Sequence, residues 1–351
     1  MYQSFENISI DGISSCVPKN TVGNDTFSEL LSPKEIKMFE KTVGILERRW
    51  AAKGVTASDL GFEAASDLFS DPHFKKEDIK CLIFISQTSD YKIPFTSNIL
   101  QDRLGLSPDI LCLDINAGCA GFVQGLSTAY SMANSLENGK VLLIVAETLS
   151  KILSLKDRGT TMLFGDAASA AIISKKETGT KSHLNFFTDG KNHDAIQIPD
   201  GGYRNPVGDG SLSVFERENG NLRSNMNLSM DGPKVFDFTL REVAAGVSDL
   251  LNHFSEPIDE IDYFLFHQSN RFIINQIAGQ LSIPKDKVLI NIQSYGNTSG
   301  VTLPLLITTH KDNFKDKNAR ILCSGYGSGL TWGNAVITID KETVIRDLIE
   351  Y

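Results

Sequence analysis

Short apolar, β-branched runs alternate along the chain with windows in which apolar residues recur every three or four positions, the pattern of an α/β fold. Runs at 81–86, 110–115, 141–146 and 170–174 predict core strands. Leu60, Ala64, Ala65, Leu68 and Phe69 predict a helix capped at Ser58-Asp59 and ended by Asp71-Pro72. Phe122, Leu126, Tyr130 and Ala133 predict a helix directly after Cys119. Further on, Phe236, Leu240, Val243, Val247 and Leu250 predict one long helix, and Ile273, Ile277 and Leu281 a shorter one. A strand at 263–266 precedes His267.

The two halves repeat each other at an offset near 180 residues. Residues 79–89 resemble 261–269, 110–121 resemble 288–300, and 140–146 resemble 320–325. The middle match sets Gly118-Cys119 against Gly296-Asn297. If the halves meet on a pseudo-twofold axis, positions 119 and 297 come close in space. The stretch at about 175–230 is polar and glycine-rich and reads as connection and surface insertion. The expected division is therefore 1–175 for a first half carrying Cys119, 176–230 for the connection, and 231–351 for a second half carrying His267 and Asn297.

The 351 residues include 34 basic and 43 acidic side chains, and the net charge of −9 argues against nucleic acid as the main partner. With 41% hydrophobic and 22% charged residues, the composition is that of a globular chain with a large core. No run approaches the roughly 18 apolar residues of a membrane span. The first residues lack a basic region followed by an apolar one, so no signal peptide and a cytoplasmic location are expected. The five cysteines, Cys16, Cys81, Cys112, Cys119 and Cys323, form no C-x-x-C pair and fit neither a disulfide framework nor a zinc site. No metal or cofactor is expected.

Four of these cysteines sit in or beside apolar runs, where a thiol packs as a small hydrophobe. Cys119 differs, lying in Asn116-Ala117-Gly118-Cys119-Ala120-Gly121-Phe122 ahead of a helix. Flanking glycines allow a tight turn there, and a helix N-terminus favours a thiolate. Read alone, a cysteine near glycine is more often structural, and plain packing is the leading account of it. His267 stands at a strand end, where α/β sheets present ligand-binding groups, yet a structural histidine reads the same way. Asn297 in Tyr295-Gly296-Asn297-Thr298-Ser299-Gly300 is, by itself, a turn or a cap. The glycine-rich stretch at 323–333 lacks the context of a nucleotide site. The small residues at 165–171 read as packing between the halves.

Taken together and in order, residues 116–122, Asp157-Arg158-Gly159-Thr160, Phe164-Gly165-Asp166, His267-Gln268-Ser269-Asn270, Gly296-Asn297-Thr298-Ser299 and 327–333 resemble the β-ketoacyl-acyl-carrier-protein synthase III family over about 8–339. The resemblance implies a duplicated thiolase fold, two similar αβαβα halves related by a pseudo-twofold axis. It also implies a homodimer and a catalytic set of Cys119, His267 and Asn297. Cys119 would take an acyl group from a thioester of coenzyme A or acyl carrier protein. The N–H groups of Cys119 and Ser328 would form the oxyanion hole. His267, as a neutral donor, and Asn297 would hold the enolate left when a malonyl thioester of the carrier protein loses carbon dioxide.

By the same resemblance Arg158 would contact coenzyme A, and Met230, Gly232, Phe236 and Asn270 would line the substrate pocket. Ile93 stands where a partner-subunit Phe commonly closes the acyl pocket, which implies a different or longer acyl group. Several positions depart from the family pattern. Met38 replaces a stacking Trp, Thr42 an Arg, Pro233 an Asn and Asp237 a docking Lys, while Phe272 stands at a docking Arg displaced to Arg271. These changes lead us to expect priming by a carrier protein over free coenzyme A, with docking through Arg48, Arg49 or Lys41. The rival readings are transfer of the acyl group to a hydroxyl or amine, and a non-catalytic binding subunit of the same fold.

Overall fold

The computed structural model describes residues 1–351, apart from the side chain of Asn219. The first half begins with β1 (Tyr2–Glu6) and β2 (Ile8–Val17), then a small hairpin of β3 (Thr21–Gly23) and β4 (Glu47–Arg49) that brackets α1 (Pro33–Thr42). It continues through α2 (Ala57–Phe69), β5 (Ile79–Ile85), α3 (Thr96–Arg103), β6 (Leu111–Ile115), α4 (Gly121–Ser135), β7 (Lys140–Glu147) and β8 (Ala167–Lys175). After β9 (Lys181–Thr188) come four two-residue strands, β10 (Ile196–Gln197), β11 (Phe215–Glu216), β12 (Leu222–Arg223) and β13 (Ser229–Met230). The rest is α5 (Gly232–Phe238), α6 (Ala244–Phe254), β14 (Tyr263–Phe266), α7 (Arg271–Gln280), α8 (Ile292–Tyr295), α9 (Thr302–Thr309), β15 (Ala319–Gly327), β16 (Thr331–Ile339), β17 (Val344–Ile345) and β18 (Ile349–Glu350).

Two large sheets carry the duplication. The first has the order β17-β2-β8-β7-β5-β6, with β18 also on β2, and the second β1-β9-β16-β15-β14. In each, two parallel strands (β7 and β5, β15 and β14) are followed outward by two antiparallel ones (β8 and β2, β16 and β9). The counterpart of β6 shrinks to one parallel bridge between Phe264 and Val288. Each half also buries a polar pair between its two antiparallel strands, on opposite faces of the sheets: Ser15 against Ser169 at 2.5 Å, toward α9, and Asn334 against Asn185 at 2.8 Å, toward α6. This is the duplicated thiolase fold. One core cluster joins α4 (Phe122, Leu126, Tyr130) and α9 (Leu303, Leu306) to inward faces of both sheets. Two others hold α2 and α3 on the outer face of the first sheet, and α6 and α7 on that of the second. The layers are αβαβα, with α4 and α9 at the centre.

The structure differs from the sequence reading in three places. The α2 cap is Thr56, whose N–H donates to Asp59 Oδ2 at 2.8 Å, while Ser58 Oγ donates to Asp90 Oδ2 at 2.6 Å. The long helix expected over 236–250 is α5 and α6 joined by one π-helical stretch, Thr239–Val243. The stretch read as connection contains β9, the counterpart of β2, so the loop-rich part begins after Thr188. The chain ends also cross over: β1 lies on the second sheet and β17 and β18 on the first.

Candidate active site

The centre of the molecule, where α4 and α9 begin, brings together residues from both halves. Cys119 sits just ahead of Gly121, the first residue of α4, and is buried. The backbone closes on it from the other half. A Cβ on Gly327 would stand 2.8 Å from Cys119 Sγ, and one on Gly325 would stand 2.9 Å from the Cys119 carbonyl oxygen. Both positions must be glycine for β15 to approach Cys119 so closely.

Burial pushes the Cys119 thiol up to about 11; the Ser299 hydroxyl and the N–H groups of Cys119 and Ser328 oppose the shift without cancelling it. The two N–H groups that oppose the shift belong to different halves of the chain. Ser299 Oγ lies 3.8 Å from Sγ. The sequence reading relied on the helix N-terminus to favour a thiolate. Here desolvation outweighs that effect, and the resting group is the thiol.

His267 follows β14 and is almost wholly buried, and desolvation lowers its pKa to about 3. Its Nδ1 lies 2.7 Å from Thr302 Oγ1, which in turn donates to the Ser299 carbonyl at 2.9 Å. Since the hydroxyl has one proton and gives it to that carbonyl, both bonds form only if Nδ1–H donates to Thr302. In that tautomer Nε2 is an acceptor; in the other, the Thr302 hydroxyl turns its proton to Nδ1 and Nε2–H is the donor that the sequence reading expected. The Tyr326 ring meets the imidazole edge-on at 5.3 Å, and its hydroxyl donates to the His267 carbonyl at 3.1 Å.

Asn297 is fixed by the first half. Its N–H donates to the Leu163 carbonyl at 2.8 Å, and its carbonyl accepts from Gly165 N–H at 3.0 Å. A Cβ on Gly165 would stand 2.2 Å from the Tyr295 carbonyl oxygen, so the small residues there serve close contact between the halves. Asn297 Oδ1 accepts from Ser299 N–H at 2.8 Å, which leaves Nδ2 as the group free to donate.

Cys119, His267, Asn297 and Ser328 line one cavity of about 180 Å³, together with Met230, Gly232, Phe236 and Asn270. The Asn270 carbonyl oxygen Oδ1 caps α7 by accepting from Phe272 N–H at 2.8 Å. Arg158 and Ile93 lie outside this cavity. Arg158 pairs with Glu35 of α1 at 3.7 Å, and Ile93 is 80% exposed. Two expected docking cations are engaged elsewhere. Arg48 is wholly buried, donating to the carbonyls of Val22 and Met162 and to Asn24, and Arg49 pairs with Glu350 at 3.0 Å. Lys41 is exposed. Among the described residues, no cluster of three acidic, His or Cys side chains is arranged to hold a metal ion.

The sequence reading missed Gln87, Ser299, Thr302 and Tyr326. The repeat offered a signal for Gln87, because it sets 87 against Ser269, two residues beyond His267, and both line the cavity.

A pH dependence follows from His267. Below 6.5 the unfolded chain binds a proton at this position, and the folded one does not until about 3. Its contribution to stability is therefore present above 6.5 and is lost as pH falls through that window. Between pH 5.5 and 8 the folded imidazole stays neutral. A pH–rate profile for the reaction at this site should carry no inflection that disappears in His267→Gln, and one near 6.5 would contradict the assigned environment.

The fold and this cavity define the class as a thiolase-type condensing enzyme. Family models described as 3-oxoacyl-[acyl-carrier-protein (ACP)] synthase III and its C-terminal part match residues 113–190 and 255–339. A relative from Clostridium acetobutylicum, a β-ketoacyl-[acyl-carrier-protein] synthase III, is 35% identical over 95% of this chain and 99% of its own. The crystal structure of a 3-oxoacyl-(acyl-carrier protein) synthase from Burkholderia xenovorans LB400 superposes with a TM-score of 0.93 at 35% identity, covering 100% of this chain and 99% of that one. A second, a 2.1 Å structure of a 3-oxoacyl-(acyl-carrier-protein) synthase III, gives 0.90 at 32% identity, over 95% and 100%. The chain belongs to the β-ketoacyl-acyl-carrier-protein synthase III family.

Proposed function

We propose that this acyltransferase makes a β-ketoacyl thioester by condensing an acyl group held on Cys119 with a malonyl thioester, with loss of carbon dioxide. The observation that carries the reading is the single cavity that Cys119, His267, Asn297 and Ser328 line together. In the first half-reaction Sγ attacks the thioester carbonyl carbon. Its proton passes to His267 Nε2 and then to the departing thiolate. The N–H groups of Cys119 and Ser328 take the charge on the carbonyl oxygen.

In the second half-reaction the malonyl carbon–carbon bond breaks, carbon dioxide leaves, and the enolate oxygen is held by Asn297 Nδ2–H. His267 joins it with hydrogen on Nε2, taken up from solvent as the Nδ1 proton is given up to solvent, and the Thr302 hydroxyl then donates to Nδ1. The enolate carbon attacks the acyl carbon and expels the Cys119 thiolate, which regains a proton from solvent. Leu149, Leu163, Phe164, Ile196, Leu228 and Val235 give the cavity an apolar lining suited to an acyl chain.

The oligomer in this reading is a homodimer. Ile93, Phe95 and Tyr91 are exposed, and β6, with Leu111 half exposed, is an edge strand of the first sheet. A partner copy covering this face would bury apolar surface that a monomer leaves in water. Light scattering should give twice the chain mass; a fully active monomer would overturn the dimer and the role of Ile93 with it.

Carrier protein is the preferred primer. Met38 is exposed, the Thr42 hydroxyl is bonded to the Met38 carbonyl, and Arg158 is paired with Glu35, so a nucleotide finds neither a stacking ring nor a free guanidinium there. Lys34, Lys37 and Lys41 are exposed on α1 and supply cations for an acidic carrier. The same acyl group should load Cys119 faster from its carrier than from coenzyme A. An equal or faster rate from coenzyme A would contradict this reading.

A further inference from the structure

The Ser328 N–H comes from the second half and the nucleophile from the first, and one side chain at the cavity rim bridges them. Gln87, two residues beyond β5, donates from Nε2 to Ser328 Oγ at 3.0 Å. Its carboxamide lies over Gly118, where an added Cβ would stand 2.2 Å from Gln87 Oε1. The Gln87 backbone is held from behind. Its N–H donates to both oxygens of the Glu147 carboxyl, at 3.1 and 3.2 Å, and Thr88 Oγ1 donates to the same group at 2.8 Å. Glu147 is wholly buried at the end of β7.

Ser328 sits between Gly327 and Gly329, and Gly329 has φ +137°. Such a turn has wide backbone freedom, and an oxyanion donor acts only when it is aimed before the charge develops. We propose that Gln87 is a positioning residue for the oxyanion hole: its carboxamide latches the 327–329 turn to the half that carries the nucleophile and aims Ser328 N–H at the reacting thioester oxygen. This rests on the reading of Cys119 as the acylated residue. Glu147 fixes where the latch is anchored, and Gly118 leaves room for it.

The test compares two reactions of Cys119 in the full chain, followed by intact mass. Acylation by a short acyl thioester passes through an oxyanion. Alkylation by iodoacetamide displaces iodide at a saturated carbon, forms no oxyanion, and reports only the thiol's access and ionisation. Gln87→Ala is expected to lower the acylation kcat about tenfold, a part of the 10²–10³ that losing a whole oxyanion donor costs, with KM and the alkylation rate unchanged. Ser328→Ala keeps the N–H and removes the latch's acceptor, so it should give the same loss, and the double variant no more than either single one. Unchanged acylation, an equal fall in both reactions, or additive losses in the double variant would overturn the latch. A wild-type chain that is not acylated at Cys119 would overturn the functional reading, and this inference with it.

Discussion

Replacing Cys119 with Ala should abolish both acyl-enzyme formation and condensation, with no acyl adduct by intact mass and product formation down by at least about 10³-fold, as expected when a covalent route is removed. The protein should stay folded. Removing one sulfur leaves a small gap beside Gly327, and an alanine fits the same backbone. Circular dichroism and a thermal melt close to wild type would establish that the loss is chemical. An acyl adduct on any of the other four cysteines would sink the assignment. Their surroundings make that a severe test, since burial raises the thiols of Cys16 and Cys323 to about 12 and that of Cys81 to about 11. Cys119 has a comparable pKa but lies in the cavity, with two backbone donors beside it. Its reactivity in this account comes from proton transfer and oxyanion stabilisation during attack, not from a standing thiolate.

His267→Ala and Asn297→Ala should divide the two half-reactions. Asn297 has no proton to exchange, and its free Nδ2 can only donate, so Asn297→Ala should leave acylation of Cys119 largely intact. Malonyl decarboxylation should fall by about 100-fold or more, the scale of one lost oxyanion donor. His267→Ala should lower decarboxylation to a similar degree. It should also slow acylation partly, because Nε2 accepts the thiol proton in that step. The measurements are single-turnover acylation by mass and carbon dioxide release from a malonyl thioester. Equal losses in both half-reactions for Asn297→Ala would mean that this residue activates the thiol and does not hold the enolate. Losing the Thr302 hydroxyl would leave Nδ1 without the partner that can either accept from it or donate to it.

Much of this arrangement was legible in the sequence, because the duplication repeats both the apolar strands and the turns that follow them. Gly118-Cys119 and Gly296-Asn297 fall at equivalent turns ahead of α4 and α9, so one axis brings them together. β9 was not legible, for a physical reason: its buried positions include Ser182, His183 and Asn185, which break the apolar pattern. Asn185 is tolerated because partners satisfy it, its Nδ2 donating to the Gly246 carbonyl and its Oδ1 accepting from Asn334, while His183 Nε2 lies 3.4 Å from Glu256. Arg48 misled in the opposite sense. Glu47-Arg48-Arg49 reads as a charged surface run, whereas the Arg48 guanidinium is enclosed by carbonyls and the Phe27 ring. The tautomer of His267 depends on Thr302 and Ser299, more than thirty residues away, and no local pattern encodes it. Ile93 and Arg158 were placed by resemblance alone, and in the single chain neither reaches the cavity.

In the proposed cycle one acyl group passes through Cys119 into a new carbon–carbon bond. The most direct measurement is a single turnover: load Cys119 with an isotopically labelled acyl group, remove free thioester, add a malonyl thioester of the carrier, and follow the label and carbon dioxide together. The account predicts that the label leaves Cys119 and appears in a β-ketoacyl thioester, with one carbon dioxide released per acyl group transferred. Label recovered as free acid or as an ester or amide, without matching carbon dioxide, would contradict it.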